Sequence, residues 1–395
     1  MTREQARRNI KLYYAYTMIK EPLFWGAILV ELIMRVSLMS LTEVYFMESA
    51  CIIISIFLEI PTGALADHIG RKKTIIIGNT LLVVMMLIFS FCSSKPSMWI
   101  ADIIGFAGYT FISGADTALL FDSLKFLGRE EDHRKIVSRA GTCKYLLVAI
   151  CSLGTGYMAG IDLRFPLYAC IPFLMFSWIL VWKFTESPYA GRDRYDGKKH
   201  LQLMKDSFVF VIGHARVIWA ISFIVLVATV CKLWFFSYNP YFSHVGLDYK
   251  NFGYIFFGLN LVAAISSFLL PTIHRRIGNF GSIVLMIACM SVPLIAMGTF
   301  VVPMAAWLVL VQNVIRGYFD PFMNDFLQRY LDSRNRATVL SVKSATSSVG
   351  QFFALMGFGA MLGIWPLPNC LTILGLTALL GGVVLIVAYR KVFVT

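Results

Sequence analysis

The chain has 395 residues, of which 58% are hydrophobic and only 14% charged, and its mean hydropathy is +0.72. A water-soluble domain carries roughly 25% charged residues, so this chain has too few to cover a water-facing surface, and it reads as a polytopic helical membrane protein. Lys and Arg outnumber Asp and Glu by 35 to 22, an excess that the connecting loops hold and that gives no reason to expect a nucleic-acid partner.

The chain opens on "MTREQARRNIK", polar and basic, followed by an apolar run long enough to stay as an anchor; no cleavable leader is expected, and the N-terminus is expected in the cytoplasm. Apolar runs then recur at 12–36, 42–66, 73–93, 97–123, 136–160, 164–184, 214–239, 251–271, 281–300, 304–327, 337–361 and 367–389. Each is long enough to cross a bilayer core as a helix, and none shows the short alternation of a barrel strand. Twelve spans put both ends on one side. Loops on that side carry Arg71, Lys72 and Lys73, then Lys125, Arg129, Arg134 and Lys135, then Arg275 and Arg276, then Arg329, Arg334 and Arg336. The opposite loops hold little beyond Arg35, Lys95, Arg164 and Lys250, which fits cytoplasmic termini.

The longest hydrophilic stretch, 185–213, divides six spans from six. The expected organisation is therefore an N-terminal six-helix bundle at 1–184, a central cytoplasmic loop at 185–213 and a C-terminal six-helix bundle at 214–395. An internal repeat supports the division. "SGADTALLFDSLK" (113–125) aligns with "RGYFDPFMNDFLQ" (316–328), matching Gly114 to Gly317 and Asp122 to Asp325, and "ADHIGRK" (66–72) matches "HRRIGNF" (274–280) at Ile-Gly. The eight cysteines are scattered singly and the six histidines show no metal-ligand spacing, so no metal, disulfide or cofactor is expected.

Gly63-x-Leu65-x-Asp67-x-x-Gly70-Arg71-Lys72, between the second and third spans, resembles the signature loop of the major facilitator superfamily, with His68 in place of the usual basic residue. With twelve spans, a central loop and a degenerate second copy, the resemblance covers the whole chain. "EIPTG" (59–63) and "SGADTALLFDSLK" resemble a bacterial branch of generic or multidrug permeases. The resemblance implies a monomeric transporter of the bacterial inner membrane, with lipid and one small organic solute as partners and a proton gradient as driving force. It also implies that Asp67 faces the start of helix 11, near Ala337, and that Arg71 pairs with Asp122 when the cytoplasmic side is closed. Gly63 and Gly70 would allow turn geometry and close backbone approach.

Ionisable groups at membrane depth are costly and usually face a bundle interior. The candidates for substrate binding or proton coupling are Lys20, Glu31, Asp116, Lys144, Arg316 and Asp320. Lys20 and Glu31, eleven residues apart, are expected to share one helical face, as are Asp102 and Asp116, fourteen apart. Asp116 is either a proton site or the structural partner of Lys20 or Lys144, and Arg316 either binds substrate or pairs with Asp320. Glu43, Glu48, Asp102 and Lys232 are expected near the outer interface, solvated or snorkelling. In the superfamily, helices 1, 4, 7 and 10 line the cavity, and of eleven intramembrane charges eight fall on them (Lys20, Glu21, Glu31, Asp102, Asp116, Lys232, Arg316 and Asp320), the others being Glu48, Glu59 and Lys144.

Two features depart from proton-driven drug exporters: Thr110 occupies the place of a span 4 arginine, and "SLGTGYMAG" (152–160) lacks the span 5 proline. The expected function is proton-coupled secondary transport, leaning to efflux of a drug-like or metabolite substrate. Alternatives are an importer of a polar or anionic nutrient or a siderophore-type metal chelate, and a non-transporting sensor or scaffold. No nucleophile–base pair or nucleotide loop emerges, so no enzyme is expected.

Overall fold

A computed structural model describes residues 1–187, 189, 211–328 and 333–393. Most of the stretch expected as a central loop lies outside that description, as do the side chains of Ile60, Ala64, Asp67, Asp320, Asn324, Asp325, Gln328, 333–338, 340 and 341. Among the described residues there is helix and turn and no strand.

The first apolar run does not make one rod. Helix α1 (Arg3–Ile19) starts on a capping box in which Thr2 and Gln5 satisfy each other's backbone N–H groups, and helix resumes as α2 only at Leu29–Ser37. Between them Glu21 precedes Pro22, whose ring disfavours helical backbone at the residue before it and removes a donor. Lys20 and Glu31 therefore do not share a helical face, contrary to the spacing argument. The fourth span is interrupted too. Helix α5 (Lys95–Ile112) and α6 (Ala115–Leu127) are separated by Ser113 and by Gly114 at φ +78°, so Asp102 and Asp116 stand on separate helices.

The other elements run longer. They are α3 (Leu41–Ile69), α4 (Arg71–Phe91), α7 (His133–Ile161), α8 (Phe165–Trp182), α9 (Ala215–His244), α10 (Tyr249–Thr299), α11 (Val309–Gln328), α12 (Ser333–Leu362) and α13 (Leu367–Phe393). Helical backbone occupies all twelve expected segments, yet among the described residues only nine helical stretches, one of them α5 and α6 taken together (Lys95–Leu127), are long and apolar enough to span a bilayer. The difference has three sources: span 1 is split, spans 8 and 9 run together through Gly278 as α10, and α11 is polar along Gln312, Asn313 and Arg316. Gly70 and Gly278, matched by the repeat, both adopt positive φ (98° and 66°), so the two copies turn on the same residue.

Contacts gather the chain into two units, one comprising Met1–Ser40, Ala50–Tyr195 and Tyr249–Phe257, the other Leu41–Ser49, Asp196–Asp248 and Gly258–Thr395. In the first, Tyr13, Leu120, Leu124, Ile136 and Ala140 bury α1 against α6 and α7. Backbones come close where α10 begins: a Cβ on Gly156 would lie 2.6 Å from the Tyr249 carbonyl oxygen. In the second unit Trp219 stacks on Phe223 and packs against Phe326 and Tyr389. The Tyr45 hydroxyl there donates to the Leu233 carbonyl at 2.6 Å.

Glycine substitutions separate these roles. Gly63 lies inside α3 and, among the described residues, nothing stands within 4 Å of a Cβ placed on it, so it provides neither a turn nor a close approach to them, and Gly63→Ala is expected to hold or raise stability by about 0.5–1 kcal/mol. Gly114→Ala is expected to cost about 1–2 kcal/mol through its positive φ. Thermal unfolding of the purified protein in detergent checks the opposite signs.

Candidate functional site

Both helix interruptions in the first unit meet at an ion pair. Lys20 caps the C-terminus of α1, Asp116 sits in the first turn of α6, and Lys20 Nζ lies 2.6 Å from Asp116 Oδ2. Each charge stands at the helix end whose dipole favours it, a cation at the carbonyl end and an anion at the N–H end. Asp116 is buried, and its Oδ1 also accepts the Thr117 N–H at 2.7 Å. Next to this pair, Lys144 Nζ contacts both carboxylate oxygens of Glu21 at 3.1 and 3.2 Å. Of the two partners open to Asp116, the structure places Lys20 on it and gives Lys144 to Glu21.

The unwound segment is held by its neighbours. Thr155 Oγ1 donates to the Phe24 carbonyl at 3.1 Å, and the Phe24 N–H is 3.4 Å from Cys170 Sγ. Non-helical backbone at membrane depth survives only where protein supplies such partners. Behind Lys20, the buried Tyr16 hydroxyl accepts from Asn79 Nδ2 at 2.9 Å, and Ser177 donates to Asn79 Oδ1 at 3.0 Å. The Lys20 ammonium also lies 5.7 Å from the Tyr16 ring centre. Glu31, further along, is buried against Arg35 and accepts the Tyr249 hydroxyl at 3.4 Å.

The loop between α3 and α4 is fastened at three points. Arg71 Nη1 reaches Asp122 Oδ2 at 2.5 Å and the Ala118 carbonyl at 2.6 Å, so the pairing expected of Arg71 is present. Asp122 also accepts the Ser187 hydroxyl. Glu186 Oε2 accepts the Lys72 N–H at 3.0 Å and so caps the N-terminus of α4. Gly70 makes room for it, since a Cβ there would lie 2.5 Å from Glu186 Oε2 and the backbone φ is +98°. Thr185 exchanges two 2.9 Å hydrogen bonds with the Asn9 side chain. Sequence reasoning missed Asn9, Glu186 and Ser187; the only signal was the polar triplet Thr185-Glu186-Ser187 directly after span 6. The Asp67 side chain lies outside the described residues.

The second unit holds a cavity of about 360 Å³. From α9 it is lined by Lys232, Trp234, Phe235 and Tyr238, from α11 by Asn313, Arg316 and Phe319, and from α12 by Gln351. Lys232 Nζ lies 3.3 Å from Glu48, which is buried and not solvated as its position in the sequence suggested. The Tyr238 hydroxyl donates to Gln312 Oε1 at 3.0 Å and accepts from Asn313 at 3.2 Å. Arg316 is exposed at the cavity; the side chain of Asp320 lies outside the described residues.

The family model of the Major Facilitator Superfamily matches residues 15–355. The chain belongs to the major facilitator superfamily. Superfamily relatives include the "Uncharacterized MFS-type transporter YxaM" of Bacillus subtilis (strain 168), 21% identical over 340 residues, covering 80% of each chain. Another is the "Multidrug efflux protein YfmO" of the same organism, 24% identical over 274 residues, covering 65% of this chain and 61% of that one. Among solved structures, the nucleoside transporter NupG superposes with a TM-score of 0.77 at 14% identity, over 98% of this chain and 99% of that one. A D-xylose-proton symporter follows with a TM-score of 0.70 at 14% identity, covering 97% and 96%. The protein is thus a multi-pass membrane transporter of this fold, and not an enzyme.

The Glu186 cap is separable from the space it needs. Glu186→Ala is expected to lower stability by about 1 kcal/mol, and Gly70→Ala by more. In the double variant the penalties should fall short of their sum, because the added methyl no longer meets a carboxylate. A double-mutant cycle on thermal unfolding reads that shortfall.

Proposed function

We propose that this chain is a proton-coupled secondary transporter that moves a small organic solute across the bacterial inner membrane by alternating access, acting as a monomer with both termini in the cytoplasm. The bundles at 1–184 and 214–395 are its moving bodies, and the 185–213 stretch links them. The observation that carries the coupling is the Lys20–Asp116 ion pair at the facing ends of two interrupted helices. A charge at the bilayer centre costs about 2.5–3.5 kcal/mol, and removing one partner of a buried pair costs about 3–5 kcal/mol. Such a pair therefore ties the end of α1 to the start of α6 while Asp116 is ionised. Protonation of Asp116 cancels the attraction, leaves Lys20 to a solute or to water, and loosens the ends. The proton then leaves to the opposite side when the pair re-forms. The Arg71–Asp122 contact fastens the loop between α3 and α4 in one state of the cycle.

Efflux is the favoured direction, supported by the multidrug efflux name of a relative. A second reading, import of a polar or anionic nutrient, draws on the two cations lining the cavity of the second unit and on the sugar–proton symporter among the structural neighbours.

Asp116→Asn is expected to abolish accumulation driven by an imposed pH gradient in proteoliposomes, with solute binding and solute–solute exchange retained. Accumulation at the wild-type rate would remove Asp116 from the coupling step.

A further inference from the structure

The first unit has a basic cavity of its own, apart from the ion pairs inside it. Where α1, α4 and the end of α8 meet, a space of about 410 Å³ is lined by Arg8, Lys72 and Lys183. Among the described residues Glu186 is the one carboxylate in the lining, and both its oxygens are engaged. Oε2 accepts the Lys72 N–H and Oε1 the Ser187 N–H, each at 3.0 Å. No ion pair among the described residues joins Arg8, Lys72 or Lys183 to a carboxylate. Three cations against one carboxylate leave the lining positive. Arg8 is anchored through Nη2, which donates to Thr185 Oγ1 at 3.1 Å. The cavity runs into a lipid-facing surface. Met175, Phe176, Ile179 and Trp182 share one face of α8 and are all exposed, and the stripe ends one residue before Lys183. Trp182 is 53% exposed, and its ring meets Trp178 edge-on at 5.8 Å. Trp178 Nε1 in turn donates to Thr80 of α4 at 2.9 Å. An indole between an apolar stripe and a cluster of cations marks the level of the lipid head groups.

We propose that this cavity seats the phosphodiester head group of an anionic glycerophospholipid, with Arg8, Lys72 and Lys183 around the phosphate and the acyl chains along the exposed face of α8. A guanidinium fork matches two phosphate oxygens, and the two ammonium groups add point charges beside it. Basic pockets between membrane helices are suited to such head groups. An ethanolamine or choline head group brings its own cation into a lining that is already positive, so zwitterionic lipids are disfavoured. A soluble phosphate would meet the same cations but leave the apolar stripe uncovered. Lys72 and Glu186 line the cavity and also form the capped start of α4, so the bound lipid braces the signature loop against the exit of α8. The inference needs only the membrane-spanning fold; it is independent of what is transported and in which direction.

The test is native mass spectrometry of the purified full chain in detergent, titrated with lipids of identical dioleoyl chains. The probes are phosphatidylglycerol, phosphatidylethanolamine and phosphatidylcholine, with glycerol 3-phosphate as the chain-free head group. Phosphatidylglycerol is expected to bind at least about tenfold tighter than either zwitterionic lipid, and glycerol 3-phosphate at equal concentration is expected not to displace it. Arg8→Gln together with Lys183→Gln leaves one cation against one carboxylate and should shrink the preference to about threefold or less. If that pair does not fold, Lys183→Gln alone serves, with an expected loss of about fivefold. Arg8→Lys together with Lys183→Arg keeps the charge and should keep the preference. Arg275→Gln with Arg276→Gln removes two charges from the second unit and should also leave it intact. Equal binding of the three lipids, or a preference that survives neutralisation of Arg8 and Lys183, overturns the site. An equal loss in the Arg275 and Arg276 variant overturns it too, because the lipid would then be answering overall charge. Displacement by glycerol 3-phosphate would assign the cavity to a soluble phosphate and discard the lipid. Gradient-driven transport without any lipid preference would keep the proposed function and lose this site.

Discussion

A helix interrupted inside a bilayer leaves N–H and carbonyl groups without partners, and the Lys20–Asp116 pair sits where this chain does it twice. The ends of α1 and α6 each present a partial charge, and a full charge of opposite sign covers each one. The same two side chains then neutralise one another, so a single contact answers the dipoles, the buried charge of Asp116 and the half-buried one of Lys20. The rest of the first unit is arranged around it. Lys144 takes the neighbouring Glu21, Thr155 and Cys170 hold the non-helical backbone at Phe24, and Tyr16 closes the apolar side behind Lys20.

The signature loop follows a similar logic at a helix start. Helix α4 begins directly after Gly70, with no side chain of its own to cap it. The carboxylate comes from Glu186, more than a hundred residues later, and the glycine is what lets it in. Arg71 and Ser187 converge on Asp122 from the same two segments. The exit of α8, the start of α4 and the end of α6 are thus one hydrogen-bonded assembly, with Asn9 of α1 fastened to Thr185 at its edge.

Much of this was legible in the sequence, and the parts that were not share a cause. Apolar run lengths and the Gly70–Arg71 loop were enough for the helical membrane fold, the family and the Arg71–Asp122 contact. Pairing of Asp116 with Lys20 was one of two options, because spacing on a continuous helix says nothing about which neighbour a break will bring near. The breaks themselves had local marks, Glu21-Pro22 and Ser113-Gly114. Whether such marks unwind a helix depends on acceptors such as Thr155 supplied from elsewhere in the chain. Glu48 and Lys232 were read as solvated because run length gives depth only coarsely, and burial is a property of packing. Glu186 was hidden in a hydrophilic stretch, where composition does not distinguish a capping carboxylate from a hydrated one.

The exchange of Leu41–Ser49 and Tyr249–Phe257 between the contact units bears on how the chain matures. Cutting the gene at the 185–213 stretch would yield two fragments, neither of them whole. The first would retain Tyr45 and Glu48 without Leu233 and Lys232, and would lack the carbonyls of Tyr249 and Lys250 that close against Gly156. Biogenesis of the first unit therefore cannot finish when its six spans have left the ribosome. It has to wait for the eighth to be inserted, whereas Glu48 of the second unit has its counter-ion Lys232 as soon as the seventh is in place.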